Sequence, residues 1–148
     1  MPALYQINPL INLIYYVGFG HCTGQELFAV EQLAREDPLR QPQMLILIDV
    51  SDVLELDIEL MDYRSMVQLN QQLVGQGHTL EHTAIVIRKA HDQIVADTYQ
   101  DMVEHVAPVS MATFFSRREA LAWLGVVNGD QIVQEMKQRL HEQYKARR

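Results

Sequence analysis

The pattern with the most direct link to a chemical reaction is the stretch His78-Thr79-Leu80-Glu81-His82. Two histidines with this spacing and an intervening glutamate can bind zinc and a catalytic water when a helix presents them on one face. Here Gly75 and Gly77 come directly before the stretch, and a β-rich run follows it. A loop that enters a strand cannot present the histidines as a helix does. We therefore favour a solvated loop, and a zinc hydrolase is the less favoured interpretation.

A second candidate is the glycine-rich stretch that contains Gly18, Gly20 and Gly24, between a predicted strand and a predicted helix. Backbone N–H groups at such a turn can bind a phosphate, and Asp49 follows near the position of a ribose-binding acid. Against this, the strand before the glycines is predicted to be the second of a hairpin. A chain of 148 residues also leaves little room for a substrate domain. A nucleotide- or phosphate-binding enzyme that uses the Gly18–Gly24 loop is therefore the alternative function.

His21 and Cys22 lie in the same glycine-rich stretch, beside the start of the predicted helix. An imidazole and a helix N-terminus can activate a thiolate. However, neighbouring residues in a strand or turn point apart, and no third residue that would orient the pair is identifiable. We therefore interpret Cys22 as a partly buried structural cysteine. As the single cysteine, it also excludes a disulfide or thiolate zinc site within one chain.

The remaining candidates follow the unbroken apolar run at residues 44–53. A strand of this kind lies at the centre of an α/β sheet, and α/β proteins bind ligands in loops at the carboxyl ends of such strands. Asp49 and Ser51 end the strand, while Asp57 and Glu59 lie at the start of the next predicted helix, with Asp57 as its N-cap. These four residues are the predicted binding residues. None is a clear catalytic group, and no cofactor is predicted.

Strands that alternate with helices must position these residues. Hydrophobic periodicity and capping signals predict the order β-β-α-β-α-β-α-β-α-α, with capping boxes at Thr23–Glu26 and Ser116–Glu119. Strands are predicted at residues 3–7, 10–17, 44–50, 83–88 and 109–115, and the long helices are predicted from residue 24, from residue 57, at 92–106 and at 130–146. This order predicts an α/β fold with a mainly parallel sheet of about five strands and an antiparallel first edge strand.

Composition limits the partners that the protein can bind. The net charge of −7 argues against DNA or RNA, because phosphate binding needs a basic face. No apolar run approaches the length of a membrane span, and no secretory signal pattern is present at the N-terminus, so a cytoplasmic location is expected.

Three stretches together resemble the STAS domain superfamily, and within it the SpoIIAA-like bacterial proteins. The run at residues 45–53 is similar to the central strand of the family, and residues 83–87 are similar to its next βα unit. Residues 114–125, Phe-Phe-Ser-Arg-Arg-Glu-Ala-Leu-Ala-Trp-Leu-Gly, are similar to the Phe-x-x-x-x-Glu-Ala-x-x-Trp-Leu ending common in SpoIIAA-like proteins. The resemblance covers about residues 3–125.

This resemblance implies a sheet with strands side by side in sequence order, wound as a βα superhelix. It also implies a non-enzymatic regulatory protein that binds a protein partner or a small apolar ligand. Family members that act in phosphorylation switches carry a serine in an Asp-Ser-Ser-Gly stretch, whereas the matching residues 57–60 here are Asp-Ile-Glu-Leu. A switch of that type is therefore not expected.

The C-terminal residues extend beyond this likeness. We predict a SpoIIAA-like domain at residues 1–126 and an amphipathic helix extension of the same domain at residues 127–148. Ile132, Met136, Leu140 and Tyr144 form the apolar stripe of that helix. The central strands are apolar on both faces, so a second face needs a cover, which the terminal helix or a second subunit would provide. A homodimer is predicted on this basis.

Overall fold

Five strands form the main sheet, and they lie side by side in the order in which they occur in the chain. The computed structural model of the protein describes residues 2–77, 80–105 and 109–147. Its strands are β1 (Ala3–Asn8), β2 (Leu13–Gly18), β3 (Gly20–Thr23), β4 (Leu45–Asp49), β5 (Val53–Asp57), β6 (Leu80–Val86) and β7 (Val109–Phe114). Its helices are α1 (Gly24–Arg35), α2 (Leu60–Gly75), α3 (Ala90–Glu104), α4 (Arg117–Leu124) and α5 (Asp130–Ala146).

The main sheet has the order β1-β2-β4-β6-β7. The first pair, β1 with β2, is antiparallel, and every later neighbour is parallel. Helices cross between the parallel strands, as such pairing requires. The predicted α/β class, the strand order and the antiparallel edge strand are thus confirmed.

A second, two-stranded sheet was not predicted. In it β3 pairs in parallel with β5, and Cys22 lies opposite Leu56. The prediction treated β3 as a loop because of its flanking glycines, and it treated residues 54–59 as an approach to a helix. Residues 54–59 alternate leucine or isoleucine with acidic residues, which is a strand pattern with period two. The glycine-rich stretch supplies the parallel partner strand.

Helices cover both faces of the main sheet. Tyr16, Ile46 and Ile85 face a layer that includes Val30 of α1 and Ala96 of α3, with α2 packed beside them. Side chains of the opposite parity, including Tyr15, Leu47 and Val86, face α4 and α5. In α5, the buried residues are Val133, Met136 and Leu140, with Ile132 and Tyr144 packed at the margin. The C-terminal helix therefore provides the cover that the second face needs.

This arrangement removes the reason given for a second subunit, since α4 and α5 already bury the second face. The homodimer stays a prediction. In the part of the chain that the structure describes, no helix combines the length and the apolar character needed to cross a bilayer.

The helix termini follow from local sequence. Thr23 accepts a hydrogen bond from Glu26 N–H, and Glu26 returns the bond to Thr23, so the capping box of α1 is confirmed. Ser116 caps α4 by accepting from Glu119 N–H. The predicted N-cap of α2 was wrong. The cap is Glu59 rather than Asp57, because pairing of β5 with β3 keeps Asp57 in the strand.

Candidate ligand-binding site

An apolar cavity lies between the main sheet and the layer of helices α1, α2 and α3. Its volume is about 110 Å³. This is similar to cavities that accept one small aromatic ring, and it lies below the range of pockets that enclose drug-sized molecules. The wall includes Ile46, Ile85 and Ile87 from the sheet side and Val30, Met66 and Ala96 from the helices. The cavity therefore suits a short apolar group rather than a nucleotide.

Part of the cavity wall comes from the connection between β5 and α2. Leu56, Ile58 and Met66 line the cavity there, together with Val95 of α3, and all four side chains are half-buried. Other lining residues, such as Ile87 and Ala96, are buried.

A buried ion pair forms one polar part of the cavity wall. Arg40 Nη1 lies 3.0 Å from Glu31 Oε1, and it donates to Tyr16 Oη at 3.3 Å. Tyr16 and Glu31 line the cavity, and the Arg40 side chain is 3% exposed. Burial, together with the nearby Glu31 carboxylate, raises the pKa of Tyr16 well above its usual value. Arg40 thus compensates the charge of Glu31, while burial and the Glu31 carboxylate keep Tyr16 a neutral phenol.

A second polar part of the wall is formed by Asn70 of α2 and Tyr99 of α3. Asn70 Nδ2 donates to Tyr99 Oη at 2.6 Å, which links the two helices across the cavity. Burial raises the pKa of Tyr99 to about 12. The two groups have more hydrogen-bonding capacity than this one bond uses.

Asp92 is the third polar group in the wall. It lies in the first turn of α3 and is 4% exposed. Across the described ranges, no hydrogen bond or ion pair engages its carboxylate, and its two oxygens are not among the fully buried atoms that lack a partner. The carboxylate oxygens therefore keep some contact with solvent or with the open space of the cavity.

The predicted binding residues Asp49 and Ser51 lie together, but on the other face of the sheet. Asp49 is fully buried and accepts from Tyr15 Oη at 2.7 Å and from Ser51 N–H at 3.1 Å. Ser51 Oγ also donates to Asp49. Lys137 of α5 lies 3.2 Å from Asp49 Oδ2 and 3.0 Å from Asp52 Oδ2. We call Tyr15, Asp49, Ser51, Asp52 and Lys137 the Asp49 cluster.

Lys137 decides the charge state of this cluster. Burial opposes ionisation of Asp49, but the Lys137 ammonium and the hydrogen bonds from Ser51 and Tyr15 outweigh it, so the pKa of Asp49 is lowered. Burial and the neighbouring Asp49 carboxylate raise the pKa of Tyr15 far above its usual value. Asp49 therefore accepts bonds from groups of the protein itself, which is an arrangement typical of a structural ion pair.

The other two predicted binding residues, Asp57 and Glu59, lie apart from this cluster. Asp57 is the last residue of β5 and is exposed, and Glu59 is the exposed N-cap of α2. Neither lines the cavity, although their neighbours Leu56 and Ile58 do. The sequence prediction therefore named the acidic members of an alternating stretch whose apolar members line the cavity wall.

The glycine-rich stretch packs against the protein's own side chains. A Cβ placed on Gly18 would approach Val53 Cγ2 to 2.8 Å, and one on Gly20 would approach Tyr144 Oη to 2.9 Å. A Cβ on Gly24 would overlap Asp62. The Asp62 side chain therefore packs against Gly24 at the start of α1, while its carboxylate accepts from Glu59 N–H.

The neighbouring residues His21 and Cys22 point in different directions. His21 Nδ1 lies 3.1 Å from Glu55 Oε2 at the surface, while Cys22 is fully buried. Burial, followed by the nearby Glu26 carboxylate, raises the pKa of the Cys22 thiol to about 12. Cys22 is thus more deeply buried than the partly buried structural cysteine that was predicted.

The zinc interpretation concerned residues 78–82, and His78 and Thr79 lie outside the described residues. His82 is placed, and its ring makes an edge contact with Trp123 at 6.3 Å between centroids. Among the residues that are described, no group of histidine, cysteine and acidic side chains could hold a metal ion.

Comparison with known proteins identifies the fold. No family model matches the chain, and no curated protein sequence matches it. A crystal structure of an uncharacterised DUF3478-family protein with a SpoIIAA-like fold, from Shewanella loihica PV-4, is similar with a TM-score of 0.54. The match covers 82% of this chain and 93% of the other, at 17% sequence identity. The chain is thus an α/β protein with a SpoIIAA-like fold.

Proposed function

We propose that this protein is a non-enzymatic binding domain whose ligand is a small apolar molecule held between the sheet and helices α1–α3. The observation that carries the proposal is the cavity of about 110 Å³ with its largely apolar wall, which includes Leu56, Ile58 and Met66. Transfer of an apolar group from water into such a cavity is favourable in proportion to the area buried.

The state of the reactive side chains supports a role without catalysis. The Cys22 thiol is buried with a raised pKa, and Ser51 donates its hydroxyl hydrogen to Asp49. Lys137 is paired with two carboxylates, so its ammonium cannot act as a base toward Ser51. A nucleophile needs a nearby base that is free to accept its proton. In the SpoIIAA-like context we also propose a regulatory role, a cytoplasmic location, and either this ligand or a protein partner as the binding target.

The alternative function, a nucleotide- or phosphate-binding enzyme at the Gly18–Gly24 loop, ranks lower. Asp62 places a negative charge beside Gly24, and Gly18 and Gly20 already pack against Val53 and Tyr144. A phosphate at the start of α1 would be repelled by this carboxylate. A flat thermal-shift response to nucleotides is therefore expected.

The cavity proposal is tested with 1-butanol, a small neutral probe, followed by NMR shifts of backbone amides. The wild-type protein should show saturable shifts that centre on α3 and β6. Replacing Ala96 with leucine extends a side chain into the cavity, so the Ala96→Leu variant should lose this response. The control is Ala122→Leu, which makes the same change at an exposed position of α4 and should bind as the wild type does.

Two results would contradict the proposal. One is the lack of saturable binding in the folded wild-type protein. The other is a folded Ala96→Leu variant that binds 1-butanol with unchanged affinity, because the probe would then occupy a different place.

A further inference from the structure

The polar groups of the cavity wall define the kind of head group that the ligand carries. Glu31 and Arg40 form a pair at 3.0 Å, so their charges compensate each other. Asp92 also lines the cavity, at 4% exposure, and in the described chain no cationic side chain lies within ion-pair distance of it. The cavity wall therefore carries one carboxylate whose charge no protein group neutralises.

The nearest candidate for such a partner is Lys89, three residues earlier in the chain. Its ammonium donates instead to the backbone carbonyl of Leu54 on β5. The position of Asp92 in the first turn of α3 favours a negative charge there, since the helix dipole is positive at that end. This effect lets the carboxylate remain in the wall, but it does not satisfy its oxygen atoms.

We infer that Asp92 is a binding residue for a cationic head group, and that the ligand class is a primary ammonium compound with a short apolar chain. The inference rests on the proposed binding function of the cavity. An ammonium group has three donors and no acceptor, which matches a carboxylate that lacks donors. The Asn70–Tyr99 pair adds to this match, because one bond between the two side chains leaves an acceptor unused whichever way the amide is turned.

The same cavity wall disfavours a ligand with a negatively charged head group. A fatty carboxylate would lie beside Asp92 and Glu31, and Arg40, the one buried cation among the described residues, is already engaged with Glu31 and Tyr16. Like charges in a site of low dielectric constant repel each other strongly. A neutral alcohol would bind through its chain alone, with one hydrogen bond at most to the carboxylate.

The test compares three probes with one chain, butylammonium, 1-butanol and butyrate, in NMR titrations at neutral pH. A hydrogen bond to a charged group predicts that butylammonium binds about tenfold to a hundredfold more tightly than 1-butanol, with butyrate weakest. In Asp92→Asn the ammonium and the alcohol should bind within about twofold of each other. The control Asp101→Asn, an exposed position on the same helix, should keep the wild-type preference.

The outcomes separate this inference from the proposed function. If wild-type protein binds 1-butanol and Ala96→Leu does not, the cavity binds apolar ligands, whatever the preference for a head group. Equal affinities for the three probes in the wild type would overturn the ammonium inference alone. A preference that persists in Asp92→Asn would also overturn it. If that variant does not fold, the wild-type protein is tested instead. The resonance of the Asp92 carboxyl carbon should move when butylammonium is added, and a resonance that does not move would overturn the inference.

Discussion

At the level of single residues, an ion pair between Lys137 and the buried Asp49 holds the C-terminal helix to the sheet. The Asp49 side chain is 1% exposed and that of Lys137 is 15% exposed, so removal of the lysine would leave a buried carboxylate unpaired. We expect Lys137→Met to lower the free energy of unfolding by about 3 kcal/mol or more at pH 7. The control Lys145→Met removes an exposed lysine from the same helix and should change it by less than about 0.5 kcal/mol. Urea denaturation measures both, and equal effects would contradict the buried pair.

The pH dependence of these variants follows from the lowered pKa of Asp49. Because the folded state lowers this pKa, the ion pair contributes fully above the ordinary aspartate value of about 4, and the contribution is lost as the pH falls through the folded pKa. In Lys137→Met, burial alone would raise the pKa of Asp49, so acid relieves the unpaired charge. The difference in stability between wild type and variant should therefore shrink as the pH falls from 7 to about 3. A difference that is constant with pH would show that Lys137 acts through packing alone.

Sequence reasoning found Asp49 and Ser51 but assigned them a binding role that the geometry does not favour. Residue type and position at the end of a central strand were sufficient to select them. Their partners, Tyr15 and Lys137, are distant in sequence and carried no signal. The cavity residue Asp92 was also missed, because an acid in the first turn of a helix is an ordinary capping feature.

At the level of elements, the pairing of β3 with β5 determines the start of α1 and the position of Leu56 in the cavity wall. Gly24 begins α1 directly after β3, and Asp62 of α2 packs against it. This close contact is possible because Gly24 has no Cβ. The glycine thus serves the packing of two helix N-termini.

Replacing this glycine should be costly. Gly24→Ala places a methyl group where Asp62 lies, and we expect a loss of about 1–3 kcal/mol in the free energy of unfolding. The control is Gly75→Ala at the end of α2, where a Cβ meets no atom within 4 Å. That variant should gain up to about 1 kcal/mol. Thermal denaturation compares them, and a neutral Gly24→Ala variant would show that Asp62 moves aside freely.

The sequence contained a signal for β5 that the prediction did not use. Apolar and acidic residues alternate strictly over residues 54–59, which is typical of a half-buried strand. The acidic side chains suggested a helix start instead, and only the presence of β3 as a neighbour selects the strand. Strand formation depends on a partner, whereas a helix forms its hydrogen bonds within one segment.

For the whole molecule, α5 is an integral part of the fold. Val133, Met136 and Leu140 are each 3% exposed or less, and they pack against residues of β1 and β2. The resemblance to SpoIIAA-like proteins placed this helix beyond the family likeness, as an extension of the same domain. Together with α4, it covers the second face of the sheet.

Truncation after residue 129 tests this point. The shortened chain would expose Leu13, Tyr15 and Val17 and would remove the partner of Asp49. We expect loss of cooperative thermal unfolding and association into large species, measured by circular dichroism and size-exclusion chromatography. A truncated chain that melts cooperatively as a small species would instead identify residues 130–148 as dispensable for folding.

The sequence by itself determined the elements that depend on local interactions. The apolar run at 44–50, the Thr23–Glu26 capping box and the alternation of strands with helices sufficed for the α/β class and the order of the main sheet. The tertiary structure alone decided which polar residues meet. It joined Asp49 to Lys137 on one face of the sheet, and on the other it placed Asp92 in the wall of an apolar cavity with no ion pair to any described residue. The physical reason is that charge pairing and cavity shape depend on side chains that come together only when the helices pack on the sheet.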